Sequence, residues 1–267
     1  MFDFSAWFTA LGAALALSAL VWMISVVRRD VSIVDSFCSL VILLCVGVYQ
    51  APSGTGGPRS LLGLGLGAAW ALRLAAHIAI RDPGDPEDRR YQAIRQNTQP
   101  HFWLKSLYIV FLLQGFLAWV VSLSGVAAVA GQAPLGPLDY AGLALWLGGM
   151  FFEVVGDWQL ARFQRSESSK GRVLDTGLWR YTRHPNYFGE ALLWWGIYLM
   201  ALSAGAWWSI VAPLLMTFLL LRVSGVSLLE KDISDRRPEY RDYISRTNAF
   251  IPGPPKEDRN TSAVNGG

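Results

Sequence analysis

The sequence is short of charge, of cysteine and of any large charge imbalance. Only 16% of its 267 residues are charged, against 52% hydrophobic, and the mean hydropathy is +0.31, which excludes an ordinary soluble domain. Cysteine occurs only at Cys38 and Cys45, on one helical face, with no third cysteine and no histidine beside them. That excludes a thiolate metal centre; the pair reads as small apolar packing residues, and no metal is expected. The net charge of +3 comes from basic residues interleaved with acids, so a nucleic-acid partner is not expected. No basic region precedes the first apolar stretch, which is also too long for a secretory signal, and it is expected to stay as an anchor. No internal repeat is found.

What the chain has is apolar length. A helix needs about 20 predominantly apolar residues to cross the roughly 30 Å hydrocarbon core of a bilayer, where lipid offers nothing to an open backbone amide. Seven segments approach that length, Phe4 to Val27, Ile33 to Tyr49, Leu61 to Ile80, Leu104 to Ala130, Leu138 to Leu160, Tyr187 to Ser203 and Trp207 to about Leu229. An all-α polytopic membrane protein with about seven transmembrane helices is therefore expected.

The basic residues test this reading, because cytoplasmic loops beside membrane segments collect Lys and Arg. Every Lys and Arg falls in alternate loops or in the carboxyl-terminal tail, except Arg59 on the other side and Arg73 inside the third segment. This orients the N-terminus outside and the C-terminus in the cytoplasm. The outer loops, such as APSGTGGPR and GQAPLGP, are short and look structural. Gly63, Gly65, Gly67, Gly148 and Gly149 read as places of close helix packing, and most of the 12 tryptophans as interfacial anchors. The polar stretch after Pro252 is expected to be disordered.

The densest polar run lies between Gly156 and Gly196. It holds Asp157, Arg162, Arg165, Lys170, Arg172, Arg180, Arg183 and His184, then Asn186 and Glu190 where the chain re-enters the membrane. Pro185 suits the first turn of a helix, and the free amides after it, with the helix dipole, favour an anion such as phosphate. Arg183 and His184 would extend that anion site. Asn186, Glu190 and Trp194 recur one turn apart on one face, and a carboxylate at membrane depth costs several kcal/mol unless paired or solvated, by roughly the insertion scales. A plain positive-inside loop followed by a helix start is the competing reading.

The segment GLWRYTRHPNYFGE, preceded by GDWQLARF and followed by LLRVSGVSLLEK and a Tyr-Arg-Asp-Tyr tail ending in FIP, resembles the bacterial branch of the steroid 5-alpha-reductase superfamily. The likeness covers roughly Gly148 to Pro252 and reaches the first helices more faintly through VDSF, WALRL and EDRRYQAIR. It implies NADPH held by the C-terminal helices and their cytoplasmic loops. The implied cofactor contacts are Asp157, Arg172, Tyr181, Arg183, His184, Asn186, Glu190, Trp194 and Arg222, with Arg162, Lys170 and Arg172 as candidates for the ribose phosphate. Residues 1–131 would line a substrate chamber, 132–252 would hold the cofactor and 253–267 would be a tail, in a bacterial inner membrane. The implied reaction is reduction of a carbon–carbon double bond conjugated to a carbonyl in a steroid-like or other lipid substrate.

The chain departs from the animal enzymes of that superfamily. It lacks the Gln-Glu pair on the second helix, Ile78 stands where their third-helix Tyr would fall, and Gln164 replaces an expected basic residue. Membrane methyltransferases that act on isoprenylcysteine or phospholipid with S-adenosylmethionine share the RHP-x-Y-x-G core and are the alternative. In the amino-terminal half, Asp35 and Arg73 are the intramembrane ionisable residues, expected to pair with each other or with Glu190, or to act on a substrate carbonyl. Asp35 is the candidate proton donor. The run Glu87 to Arg95 alternates in sign and reads as a solvated loop or short surface helix, with Arg90 or Tyr91 able to close over the cofactor.

Overall fold

The computed structural model describes residues 2–53, 56–81, 87–166, 169, 171–223, 226, 230 and 239–256. Among these, every regular element is helical. In chain order they are α1 (Phe4–Arg28), α2 (Ile33–Gln50), α3 (Pro58–Arg81), α4 (Arg89–Asn97), α5 (Phe102–Ala130), α6 (Pro137–Gln164), α7 (Pro185–Ser203), α8 (Trp207–Val223) and α9 (Glu239–Arg246). Five are long and apolar enough to cross a membrane, namely α1, α2, α3 through Ile80, α5 and α6. The sixth expected segment forms the 19-residue α7 and the seventh the shorter apolar α8. The end of that seventh segment, Lys170, and the tail beyond Lys256 lie outside the described residues.

Local chemistry sets the helix boundaries. The Asp3 carboxylate caps α1 by accepting from the Ala6 amide at 3.0 Å, and Arg29 ends that helix in the left-handed region at φ 57°. Asp88 caps α4 in the same way through the Arg90 amide at 2.8 Å. Side chains such as Phe8, Val27, Leu61, Ile80 and Trp207 stay exposed, as a lipid solvent allows.

The chain forms two compact units, Met1–Ala141 with Ile197–Ala212, and Gly142–Gly196 with Pro213–Gly267. In the first, α1, α2 and α5 bury one cluster around Trp7, Val46, Tyr49, Val126 and Val129, and together with Tyr91 of α4 another around Val21, Val34, Phe102 and Phe111. Trp7 stacks on Trp119 with centroids 4.3 Å apart. Cys45 is buried, its thiol 3.8 Å from the Ala10 carbonyl, and acts as the expected packing residue.

In the second unit, α6 and α7 meet backbone to backbone. A Cβ at Gly149 would collide with the Gly189 carbonyl, one at Gly189 with the Gly149 carbonyl, and one at Gly196 with the Gly142 carbonyl. Of the glycines singled out by sequence, Gly149 makes such a contact, whereas Gly148 is ordinary and Gly65 and Gly67 face open space. Two bare helix faces approach closely only where no side chain separates them. Gly189→Val is expected to lower stability in detergent by about 1–3 kcal/mol through overpacking. An unchanged denaturation midpoint would mean that these helices do not meet at Gly189.

Candidate functional site

The two motifs that stand far apart in the second unit's sequence fold into one packed piece. Gln159 of GDWQ accepts from the Leu178 amide at 3.0 Å, and the Gly156 carbonyl takes the Trp179 indole N–H at 3.1 Å. Gly177 turns with φ 61° directly under Gln159, where a Cβ would strike that side chain. Pro185 opens α7 as expected and packs on Gly156. This contact brings the Asn186 amide nitrogen to 3.0 Å from Asp157 Oδ1, while Asn186 Oδ1 accepts from the Tyr187 amide. Asp157 is buried, Asn186 and Glu190 are half-buried, and Trp194 is buried a turn further on.

Glu153, one turn before Asp157 on α6, is a buried carboxylate that the sequence reading passed over. The signal was present. The argument that singled out Glu190, a carboxylate at membrane depth, applies equally to Glu153.

Arg183 and His184, expected to extend an anion site, both engage Glu230. The Arg183 guanidinium grips the Glu230 carboxylate with two bonds, at 2.6 and 2.9 Å, and gives its remaining arm to the carbonyls of Thr247 and Ile244. His184 stacks on Tyr187 with its ring nitrogen 3.0 Å from the same carboxylate. Burial alone would push the Glu230 carboxyl up, but the hydrogen bonds from His184 and Arg183 outweigh it and hold the group at about 2. The reason is simple. A buried guanidinium needs a fixed counter-charge, and Glu230 meets that need before any mobile anion can.

The other predicted positions divide by exposure. Arg162, Arg172, Tyr181 and Arg222 are exposed, and Arg162 lies 5.5 Å over the Trp158 ring. Arg172 borders a cavity of about 330 Å³ together with Val173, Asp175, Glu239, Arg241, Asp242 and Arg246.

In the first unit, Asp35 does not pair with Arg73. Its carboxylate accepts from Arg90 at 2.8 Å and from the Tyr91 hydroxyl at 2.5 Å. The Tyr91 oxygen in turn accepts from the Gln114 amide at 3.1 Å. The helix that presents Arg90 and Tyr91 is more than a solvated segment. Glu87 binds Arg95 and the Val31 amide, Ser32 accepts from the Asp88 amide at 2.7 Å, and Tyr91 is only 5% exposed. Burial first, and the Asp35 charge second, raise the Tyr91 hydroxyl well above its ordinary value, so it stays protonated. Asp35 therefore sits as an acceptor, and Tyr91 carries the proton. Gln114 also lines a small crevice with Ser18, Val34, Phe37, Cys38 and Phe111. Arg73 and His77 are half-buried along α3.

The chain belongs to the family described as protein of unknown function (DUF1295), whose model matches residues 21–247. It is 28% identical over 212 residues to the uncharacterized protein C594.04c of Schizosaccharomyces pombe, a match covering 68% of this chain and 60% of that one. It is distantly homologous to 3-oxo-5-alpha-steroid 4-dehydrogenase 1. Identity to the Bos taurus protein is 25%, over 64% of this chain and 76% of that one. Identity to the Rattus norvegicus protein is 31%, over 38% of this chain and 39% of that one. No solved structure matches.

Proposed function

We propose that this member of the DUF1295 family is a membrane reductase that uses NADPH to saturate a carbon–carbon double bond conjugated to a carbonyl in a lipid-like substrate. The observation that carries the reading is the Asp157–Asn186 hydrogen bond at the opening of α7, with Glu190 and Trp194 along the helix that follows. A carboxylate and an amide fixed at a helix start, beside a chain segment rich in arginine, fit the polar parts of a nucleotide. Distant homology to proteins named 3-oxo-5-alpha-steroid 4-dehydrogenase supports the reaction class.

On this reading seven segments cross a bacterial inner membrane, with the N-terminus outside and residues 132–252 presenting the cofactor site to the cytoplasm. Asp157, Asn186, Glu190 and Trp194 would hold the cofactor, with Arg172 and Arg222 nearby in sequence; NADPH supplies a hydride when bound. Residues 1–131 would receive the lipid substrate, and Tyr91 would meet its carbonyl oxygen. Rotation of the Tyr91 hydroxyl turns its proton from Asp35 toward that oxygen, where negative charge develops, while Gln114 keeps hold of the phenol and Arg90 keeps hold of Asp35. Tyr91 thus takes the donor role first expected of Asp35.

Titration of NADPH, NADH and S-adenosylmethionine against the purified protein in detergent tests the reading. Asn186→Ala is expected to weaken NADPH at least tenfold, about 1.4 kcal/mol, the scale of one hydrogen bond to a charged group. Parent-like affinity in the variant would move the cofactor away from α7. Binding of S-adenosylmethionine alone would replace the reductase with a methyltransferase.

A further inference from the structure

A serine inside a helix commonly turns its hydroxyl back onto its own helix. Ser25, Ser106 and Ser122 do so, each donating at 2.8 Å to the carbonyl three residues before it. Ser18 on α1 does not. It is 5% exposed, and its hydroxyl makes no hydrogen bond among the described residues. Gly115 of α5 faces it so closely that a Cβ there would stand 2.4 Å from the Ser18 oxygen, so glycine leaves this hydroxyl its place. Both residues belong to helices long and apolar enough to cross a membrane, where an unsatisfied hydroxyl has no bulk water to turn to.

Gln114 carries the second such group. Its amide nitrogen donates to the Tyr91 oxygen at 3.1 Å, while its carbonyl oxygen accepts from nothing among the described residues. Ser18 and Gln114 line the same crevice, otherwise walled by apolar side chains such as Val34, Phe37 and Phe111, and by Cys38. Its volume of about 10 Å³ has room for a single water-sized group. Phe37 and Cys38 are half-buried, so the crevice is reached past them.

One chemical group answers both unsatisfied partners. Ser18 has a proton to give and Gln114 an oxygen that accepts, and a hydroxyl between them accepts from the first and donates to the second. A carbonyl or ether oxygen can meet only Ser18. Water satisfies the same pair, but a lipid hydroxyl reproduces those bonds and also buries part of its chain against Phe37 and Phe111, so it displaces the water.

We infer that the crevice between α1, α2 and α5 is a seat for the hydroxyl of a long-chain lipid alcohol, held by Ser18 and Gln114. The role of that alcohol rests on the reductase reading: the substrate carries this hydroxyl as well as the carbonyl met by Tyr91, with the Gln114 amide between the two oxygens.

Cys38 supplies the reporter, because it lines the crevice while Cys45 is buried. The full-length protein in detergent is alkylated with N-ethylmaleimide, and modification of Cys38 is followed by mass spectrometry with 1-decanol or decyl methyl ether at equal mole fraction in the micelle. Decanol should slow the reaction about fivefold more than the ether, the scale of one hydrogen bond. Ser18→Ala should erase that difference while its rate without either probe stays that of the parent. Denaturation midpoints with the same two probes give a second readout, in which decanol should stabilise the parent more than the ether does, and Ser18→Ala equally with both. Equal effects of alcohol and ether on the parent mean that water alone fills the crevice, and overturn the inference. So does an alcohol preference that survives in Ser18→Ala. NADPH titration of the same preparation separates the two readings. A parent that prefers the alcohol but does not bind NADPH keeps the seat and loses the reductase, and one that binds NADPH without the preference keeps the reductase and loses the seat.

Discussion

Replacement of Asp139 by alanine is expected to destabilise the protein by about 3–5 kcal/mol, the cost of leaving one partner of a buried ion pair uncompensated. Arg59 and Asp139 are 1% and 0% exposed, and they join at 2.7 and 2.9 Å. The carboxylate also accepts from the Ser203 hydroxyl and the Gly136 amide, and the guanidinium reaches the Pro134 carbonyl. The start of α3, the loop into α6 and the end of α7 are thus tied at one point. Removal of the carboxylate strands a guanidinium among groups that cannot neutralise it. The double variant Arg59→Met with Asp139→Leu should recover most of the loss, because an apolar pair of similar volume avoids the desolvation cost. Denaturation midpoints in detergent decide it. If the double variant is as unstable as Asp139→Ala, shape rather than charge holds these segments.

The second large effect concerns Glu230. Arg183 is 7% exposed, so Glu230→Ala should cost about 3–5 kcal/mol and expose the carboxyl-terminal segment to protease. Acid should act on the parent in the same direction. The carboxyl lies near 2 in the folded protein, depressed from its ordinary 4.5 because the bonds from His184 and Arg183 outweigh the opposing effect of burial. A depressed folded value means that the charged form stabilises the fold. That contribution is fully present above 4.5 and is lost as pH falls from there toward 2, roughly 3 kcal/mol in all. Midpoints measured across this window should fall more steeply for the parent than for Glu230→Gln. Parallel slopes would show that Glu230 does not carry the acid sensitivity.

Much of the site was legible in the chain because short-range rules govern it. Pro185 opens α7, and the expected face of Asn186, Glu190 and Trp194 follows from helical spacing alone. The resemblance named Asp157 and Asn186 separately as cofactor contacts, and only the structure pairs them, since nothing in their separation of sequence predicts it. Other outcomes needed the structure. Arg183 and His184, expected to extend an anion site, are engaged by Glu230, Asp35 meets Arg90 and Tyr91 rather than Arg73, and residues 89–97 take the second of the two forms expected of them, a short helix, seated through buried Tyr91.

The sequence by itself determined the helical class and the long apolar segments, because a bilayer admits few backbone arrangements and apolar length is a one-dimensional quantity. It also marked the run between Gly156 and Gly196 as the densest in polar residues. Only the tertiary structure decided which charges meet. Arg183 selects Glu230, Arg59 selects Asp139, and α9 brings Arg241 and Arg246 to Arg172. Ion pairing depends on distances of a few ångströms between residues far apart in the chain, and many pairings satisfy the same composition. In the second unit the choice goes with the close approach of α6 to α7 at Gly149 and Gly189 and with the fold-back of the carboxyl-terminal segment, and backbone packing of that kind has no periodicity for a sequence to display.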